Sequence, residues 1–156
     1  MTRATLEELH VVARVGGERF AFAVADVEEV IDAPLLEWVP SAPLGVAGQL
    51  RHRQQTLSAF DGAWAFGLPV GRVGGTALVL RAGDARTVLM VDDVEDLAVL
   101  DVRTVRPVPA GADVDGVLAG VCIGARADGG LVNLVRVGAL LGRTAERAPP
   151  REENSE

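Results

Sequence analysis

Cysteine and histidine are nearly absent from this chain. One Cys and two His stand among 156 residues. An internal disulfide is therefore excluded, and the clustered ligands of a zinc site are missing. Cys122 falls inside the apolar run Val117 to Ile123 and reads as a buried structural thiol. Aromatic residues are few, with no Tyr, four Phe and two Trp. No apolar run approaches the ~20 residues that a membrane span requires. No basic-apolar-small pattern resembling a secretory signal is present. Positive charge is also short, with 15 Lys and Arg against 22 Asp and Glu, a net charge of −7. That balance excludes a phosphate-neutralising face and adhesion to an anionic membrane. A soluble, cytoplasmic protein is expected.

What the chain does have is aliphatic: 49% of its residues are hydrophobic, mostly Val, Leu and Ala, which excludes wholesale disorder. Its length fits about one domain, able to bury roughly two-thirds of its unfolded surface. Leu9 to Val15 and Arg19 to Ala23 flank Gly16-Gly17 and predict an opening hairpin. The period then changes. Val24, Val27, Val30 and Ile31 fall three or four apart, with Asp26, Glu28, Glu29 and Asp32 between them. This spacing predicts a short amphipathic helix over 26–32, opened by a capping box of Asp26 and Glu29 and stopped by Pro34.

Leu35 to Val39 is expected to be a strand, and Asp61 to Phe66 a helical turn. Ala77 to Arg81 and Thr87 to Val91 read as two strong strands, which Val94 to Leu100 extends. Val117 to Ile123 and Leu131 to Leu134 predict a last hairpin, and Val135 to Leu141 a short helix ended by Gly142. Short strands with turn signals every 8–12 residues or so predict a mainly β barrel or sandwich. Arg143 onward is rich in Pro, Glu and Arg, without apolar period, and reads as a disordered tail over 143–156.

Chemistry is hard to find. Asp92, Asp93, Glu95 and Asp96 form an acidic run that reads as a solvated turn. A small barrel enzyme or cation-binding domain using this run is a distant alternative, because its carboxylates share one aqueous environment while acid–base chemistry needs two. Ser41 and Ser58 lack a Gly-flanked elbow. Gly71-Arg72-Val73-Gly74-Gly75 lacks phosphate-loop spacing and leads into a strand, so it reads as a connector. The odd feature is Arg51-His52-Arg53, a basic patch inside a strand-turn-strand pattern. It is either a solvated hairpin tip or a positive contact surface that orients an acidic partner.

A family likeness is carried by several segments together. Asp26-Val27-Glu28-Glu29-Val30-Ile31 is similar to "D-V-x-E-V-I", and Val46 to Asp61 aligns without a gap to "V-x-G-x-x-N-L-R-G-x-x-x-P-V-x-D". Val91-Asp92-Asp93-Val94 is like "V-D-x-V", and Leu118-Ala119-Gly120-Val121, then Leu131 to Leu141, resembles the closing hairpin and "L-L-D-x-x-x-L-L" helix. In order and spacing, these segments resemble the CheW-like family, scaffold proteins of bacterial chemosensory arrays. The resemblance implies two linked five-stranded SH3-like barrels with one or two short helices, spanning residues 1–142. It implies no cofactor, no metal and no catalysis. The implied function is an adaptor between the cytoplasmic helical hairpin of a chemoreceptor and the regulatory domain of a CheA-type histidine kinase, or another CheW-like protein.

Residue by residue, Arg53 takes the position of the motif arginine on the receptor-facing surface. Val27, Glu29 and Val30 take positions associated with partner contact, where core packing is an equally good reading for the valines. The departures are specific. Arg51 replaces the motif Asn, Gln54 the Gly and Ser58 the Pro, while Val88 stands where Gly is frequent and Arg136 where Asp or Asn is usual. A Gly at position 54 would supply a backbone angle that Gln resists. The candidate partner-binding set is therefore Val27, Glu29, Val30, Arg51, Arg53, Gln54 and Val88. An accessory scaffold that binds receptors but no kinase is the alternative, by analogy with the Frz-type systems of gliding bacteria, which carry more than one CheW-like protein.

Overall fold

A computed structural model describes residues 7–122 and 130–145. Its architecture is mainly β. Nine-residue β1 (Glu7–Val15) turns through Gly16 and Gly17 into β2 (Glu18–Ala23). Both glycines have positive φ, 59° and 84°, the conformation that a two-residue hairpin turn requires. Then follow β3 (Val27–Asp32), β4 (Val46–His52), β5 (Gln55–Asp61), β6 (Thr76–Ala82) and β7 (Ala85–Val91). The remaining strands are β8 (Asp93–Asp101), β9 (Val105–Arg106), β10 (Leu118–Cys122) and β11 (Val132–Val135). Two helices, α1 (Gly62–Ala65) and α2 (Val137–Ala145), complete the described elements.

The strands form two sheets. One has six strands in the order β8-β1-β2-β11-β10-β9, one strand more than expected, and the other five in the order β3-β6-β7-β5-β4. Connectivity is nested, since the second sheet lies wholly between β2 and β8 in sequence. Each sheet wraps a small core of its own. Leu50, Leu57, Val79, Val88 and Met90 fill the second, and Val12, Ala21, Leu100, Val132 and Leu134 the first. A third and larger core joins the two sheets. There Phe20 stacks on Phe66 at 4.0 Å between ring centroids and Phe60 on Trp64 at 5.8 Å, with Leu78, Leu80, Leu89 and Leu140 around them. β6 and β7 bury both faces, which explains their unbroken apolar runs.

Three expectations are corrected. No helix spans 26–32: Val24–Asp26 is a single 3-10 turn, and Val27–Asp32 pairs antiparallel with β6. The cause is a bulge. Between Val27 and Glu29 the register slips by one residue, so β3 takes two steps where β6 takes one. That extra residue spaces the apolar positions by three and four and imitates a helical period. Leu35 to Val39 contributes one bridge pair, Glu37 with Gln49, rather than a strand. The acidic run is also no simple turn, because Asp93 already begins β8 and Glu95 bonds to Arg19 at 2.9 Å.

The end of the fold also lies beyond the expected boundary. α2 continues past Gly142 to Ala145, with Thr144 buried. Arg143 lies 3.9 Å over the Trp64 ring, donates to the Trp64 and Ala65 carbonyls, and pairs with Asp115 at 2.8 Å. It thereby ties α2 to the C-terminal end of α1. The remainder of the predicted tail, and residues 123–129 within the predicted last hairpin, lie outside the described residues. Cys122 is 1% exposed, and burial pushes its thiol pKa up, as befits a structural residue.

Candidate partner-binding site

The bulge in β3 decides the chemistry of the second barrel's rim. Side chains of adjacent bulge residues project to one side, and here the adjacent residues are Glu28 and Glu29. β3 and β4 stand at opposite edges of their sheet, yet their side chains meet there. Glu28 accepts from Arg86 of β7 at 2.9 Å and from Arg53 at 3.1 Å. Glu29 accepts from His52 Nε2 at 2.6 Å. Arg86 also donates to His52 Nδ1 and to Gln55. A guanidinium can only donate, so Nδ1 must accept, which puts the imidazole proton on Nε2, facing Glu29. Four strands, β3, β4, β5 and β7, and the β4–β5 turn are thus latched by one polar network around Arg86.

This network sets the electrostatics. The hydrogen bond from Arg86 holds the Glu28 carboxyl below the usual glutamate range, helped by the charges of Arg86 and Arg53 and opposed by partial burial. Arg53 is 65% exposed in its side chain and Arg86 only 15%. Arg86 is therefore the structural member of the network and Arg53 its solvent-facing one.

The predicted basic patch is corrected accordingly. His52 is 6% exposed and points inward, Arg53 is paired with Glu28, and Arg51 alone of the three is exposed without a hydrogen-bond partner among the described residues. The turn itself is formed by Arg53 and Gln54, with φ of 50° and 67°. Both sit in the left-handed region, so Gln54 adopts the backbone angle for which glycine is better suited. Val88 does not reach the surface. It is fully buried between Ala59 and Val79, and its methyl groups fill the barrel core instead of offering a contact.

Val27 and Val30 pair with Leu80 and Leu78, so both face the core shared by the two sheets. Val27 packs against that core, while Val30 is 41% exposed beyond its margin. A second apolar row borders the same core from the other sheet. Leu9 pairs with Val99, and Val11 with both Leu97 and the core residue Phe22. Leu9, Leu97 and Val99 thus share a face, and each is more than two-fifths exposed. Such rows at the junction of two barrels suit the apolar side of a partner helix.

Sequence reasoning missed this second row and the network's hub. The signal for the row was present: Leu97-Ala98-Val99-Leu100 is apolar on both strand faces, though only Ala98 and Leu100 turn inward to the first core. Arg86 gave no local signal, since its partners lie 31 to 58 residues away. The described residues hold no group of three or more His, Cys, Asp or Glu placed to bind a metal. Among them, no helix is long and apolar enough to cross a membrane.

A family model for the CheW-like domain matches residues 10–145. Among solved structures, the scaffolding protein TtCheW from Thermoanaerobacter tengcongensis superposes with a TM-score of 0.72, covering 85% of this chain and 91% of that one at 20% identity. At that identity the likeness is one of fold. No curated protein matches the chain.

Proposed function

This chain belongs to the CheW-like domain family, and from that premise we propose that it is a non-enzymatic adaptor of a cytoplasmic chemoreceptor array. The single observation that supports the reading most is the exposed apolar surface bordering the core between the barrels, Val30 on one sheet and the row Leu9, Leu97 and Val99 on the other. A receptor's helical hairpin laid along that junction would bury this surface. Arg53, held by Glu28 at the neighbouring turn, offers a charge-assisted contact to the same partner. The second contact of the adaptor is the regulatory domain of a CheA-type kinase or another CheW-like domain.

Titration of the purified protein against the receptor hairpin and, separately, the kinase regulatory domain tests this. Micromolar or tighter binding to both is expected of a coupling protein. Val30→Glu and Leu97→Glu, at exposed positions, should weaken receptor binding by about tenfold or more without unfolding the chain. Binding to the receptor alone would identify an accessory scaffold. Binding to neither by a folded protein would refute the adaptor reading.

A further inference from the structure

A cavity of about 440 Å³ lies between the β1–β2 turn, the start of α1 and the connector that precedes β6, and none of the exposed apolar residues Leu9, Val30, Leu97 and Val99 lines it. Val15, Ala63, Pro69 and Val73 give it apolar walls, and two carboxylates, Asp61 and Asp92, line it. Each is fixed by the backbone. Asp61 Oδ1 accepts the N–H of Ala63 at 3.0 Å as the N-cap of α1, and Asp92 Oδ2 accepts the N–H of Gly16 at 2.9 Å. Asp61 is only 6% exposed, and Oδ2 has no hydrogen-bond donor among the described residues. A buried carboxylate with a spare acceptor is costly unless something supplies the missing donor.

The walls are held as firmly as the charges. A Cβ on Gly74 would come within 2.1 Å of the Val91 carbonyl oxygen, so the connector is pressed against the end of β7. Ala33 N–H donates to the Gly75 carbonyl at 2.8 Å and anchors the next residue. Arg72, exposed on the same connector, lines the cavity too, which leaves it one net negative charge from two carboxylates and one guanidinium.

We propose that this cavity receives a single cationic side chain, arginine or lysine, presented by a protein partner, with its aliphatic stem against Val15, Pro69 and Val73 and its head donating to Asp61 and Asp92. The match is one of shape and polarity together, because these side chains carry an apolar stem and a cationic tip. Burial, with the Asp92 charge adding, raises the Asp61 carboxyl pKa, and an arriving cation relieves that penalty. Binding should therefore tighten as pH rises. Arg72 competes for the same carboxylates and sets a threshold that the partner must exceed. The inference does not depend on the adaptor reading, since it concerns other residues and a different chemistry.

Backbone amide NMR titration of the full chain tests it, with N-acetyl-arginine amide, agmatine and neutral N-ethylurea as probes. N-acetyl-arginine amide should shift Gly16, Ala63 and Gly74, and N-ethylurea should not. Asp61→Asn keeps the helix cap, because Asn caps as well as Asp, yet should weaken binding about tenfold by removing the charge-assisted contact. Arg72→Ala should tighten it. Binding of agmatine without N-acetyl-arginine amide would mean a free small cation and overturn the assignment to a protein side chain. Equal binding to Asp61→Asn, or no shift at the three amides with any cation, would overturn the site itself.

Discussion

Replacing Arg86 with Met tests whether one guanidinium holds the second barrel's edges together. Met keeps most of the aliphatic stem and removes every donor, so packing changes little. Lost are the bond to Glu28 at 2.9 Å and those to His52 and Gln55. Charge-assisted bonds of this kind contribute about 1.5–3 kcal/mol each, and removing one partner leaves the other desolvated. Glu28 retains Arg53, but that arginine is 65% exposed, and exposed pairs contribute about 0–1 kcal/mol. Bonds from one guanidinium are not additive, the Gln55 bond is exposed and Glu28 keeps Arg53, so the net cost is about 2–3 kcal/mol, or a fall in melting temperature of roughly 4–12 °C for a chain of this length. Calorimetry and urea denaturation measure the single cost. Double-mutant cycles with Glu28→Gln apportion it, with coupling of about 1–2 kcal/mol for Arg86 and less than about 0.5 kcal/mol for Arg53. A cost below 0.5 kcal/mol or so for Arg86→Met, or equal coupling in the two cycles, would refute a latch centred on Arg86.

Four further outcomes are expected. Gln54→Gly should stabilise by about 0.5–1 kcal/mol, since Gln54 has φ of 67°, while Gln54→Ala should give no gain; urea midpoints distinguish them. Arg136 has the N-cap position of α2, with its carbonyl accepting from Leu140 N–H at 3.0 Å. Arg136→Asp should supply the missing cap and reverse an unfavourable charge at the helix start, raising stability by about 1–2 kcal/mol in thermal melts. Because the folded-state pKa of Glu28 is depressed, its contribution is complete above the ordinary glutamate range and is lost as pH falls through its folded value. Urea midpoints of Glu28→Gln should accordingly be flatter than wild type at acid pH. Asp61 has the opposite sign, with a raised folded-state pKa, so ionising it costs stability as pH rises through the window above the unfolded value. Asp61→Asn should therefore melt higher than wild type at neutral pH, and the two should converge in acid.

Much of the fold was legible because strands buried on both faces announce themselves. Ala77 to Leu80 and Val88 to Val91 could be little else, and Gly16-Gly17 fixed the first hairpin. β3 was misread for a local reason, since its bulge inserts a residue and turns a two-residue period into one resembling a helix. The end of α2 was misplaced because Gly142 and Arg143 look like a stop, whereas Arg143 is retained by the Trp64 ring and by two carbonyls far away in sequence. The shared placement of the expected partner-binding residues was legible in part. Val27, Glu29, Val30, Arg53 and Gln54 all lie at one rim of the second barrel or its margin with the shared core. Arg86 depends on long-range register, which no local pattern carries, while the row's local signal, the doubly apolar run Leu97 to Leu100, does not show that Leu9 joins it.

Nested connectivity bears on how the chain assembles during synthesis. Every strand of the inner sheet lies within one continuous stretch, Val27 to Val91, so that barrel can close as soon as the stretch has emerged. The outer sheet cannot. β1 waits for β8, and β2 waits for β11, whose Asn133 reaches the Arg19 carbonyl across 114 residues. Loop-closure entropy disfavours so distant a pairing until the inner barrel has drawn the ends together. Phe20 and Ala21 therefore lack their β11 neighbours until that strand is made, so β2 is completed long after the inner sheet that follows it.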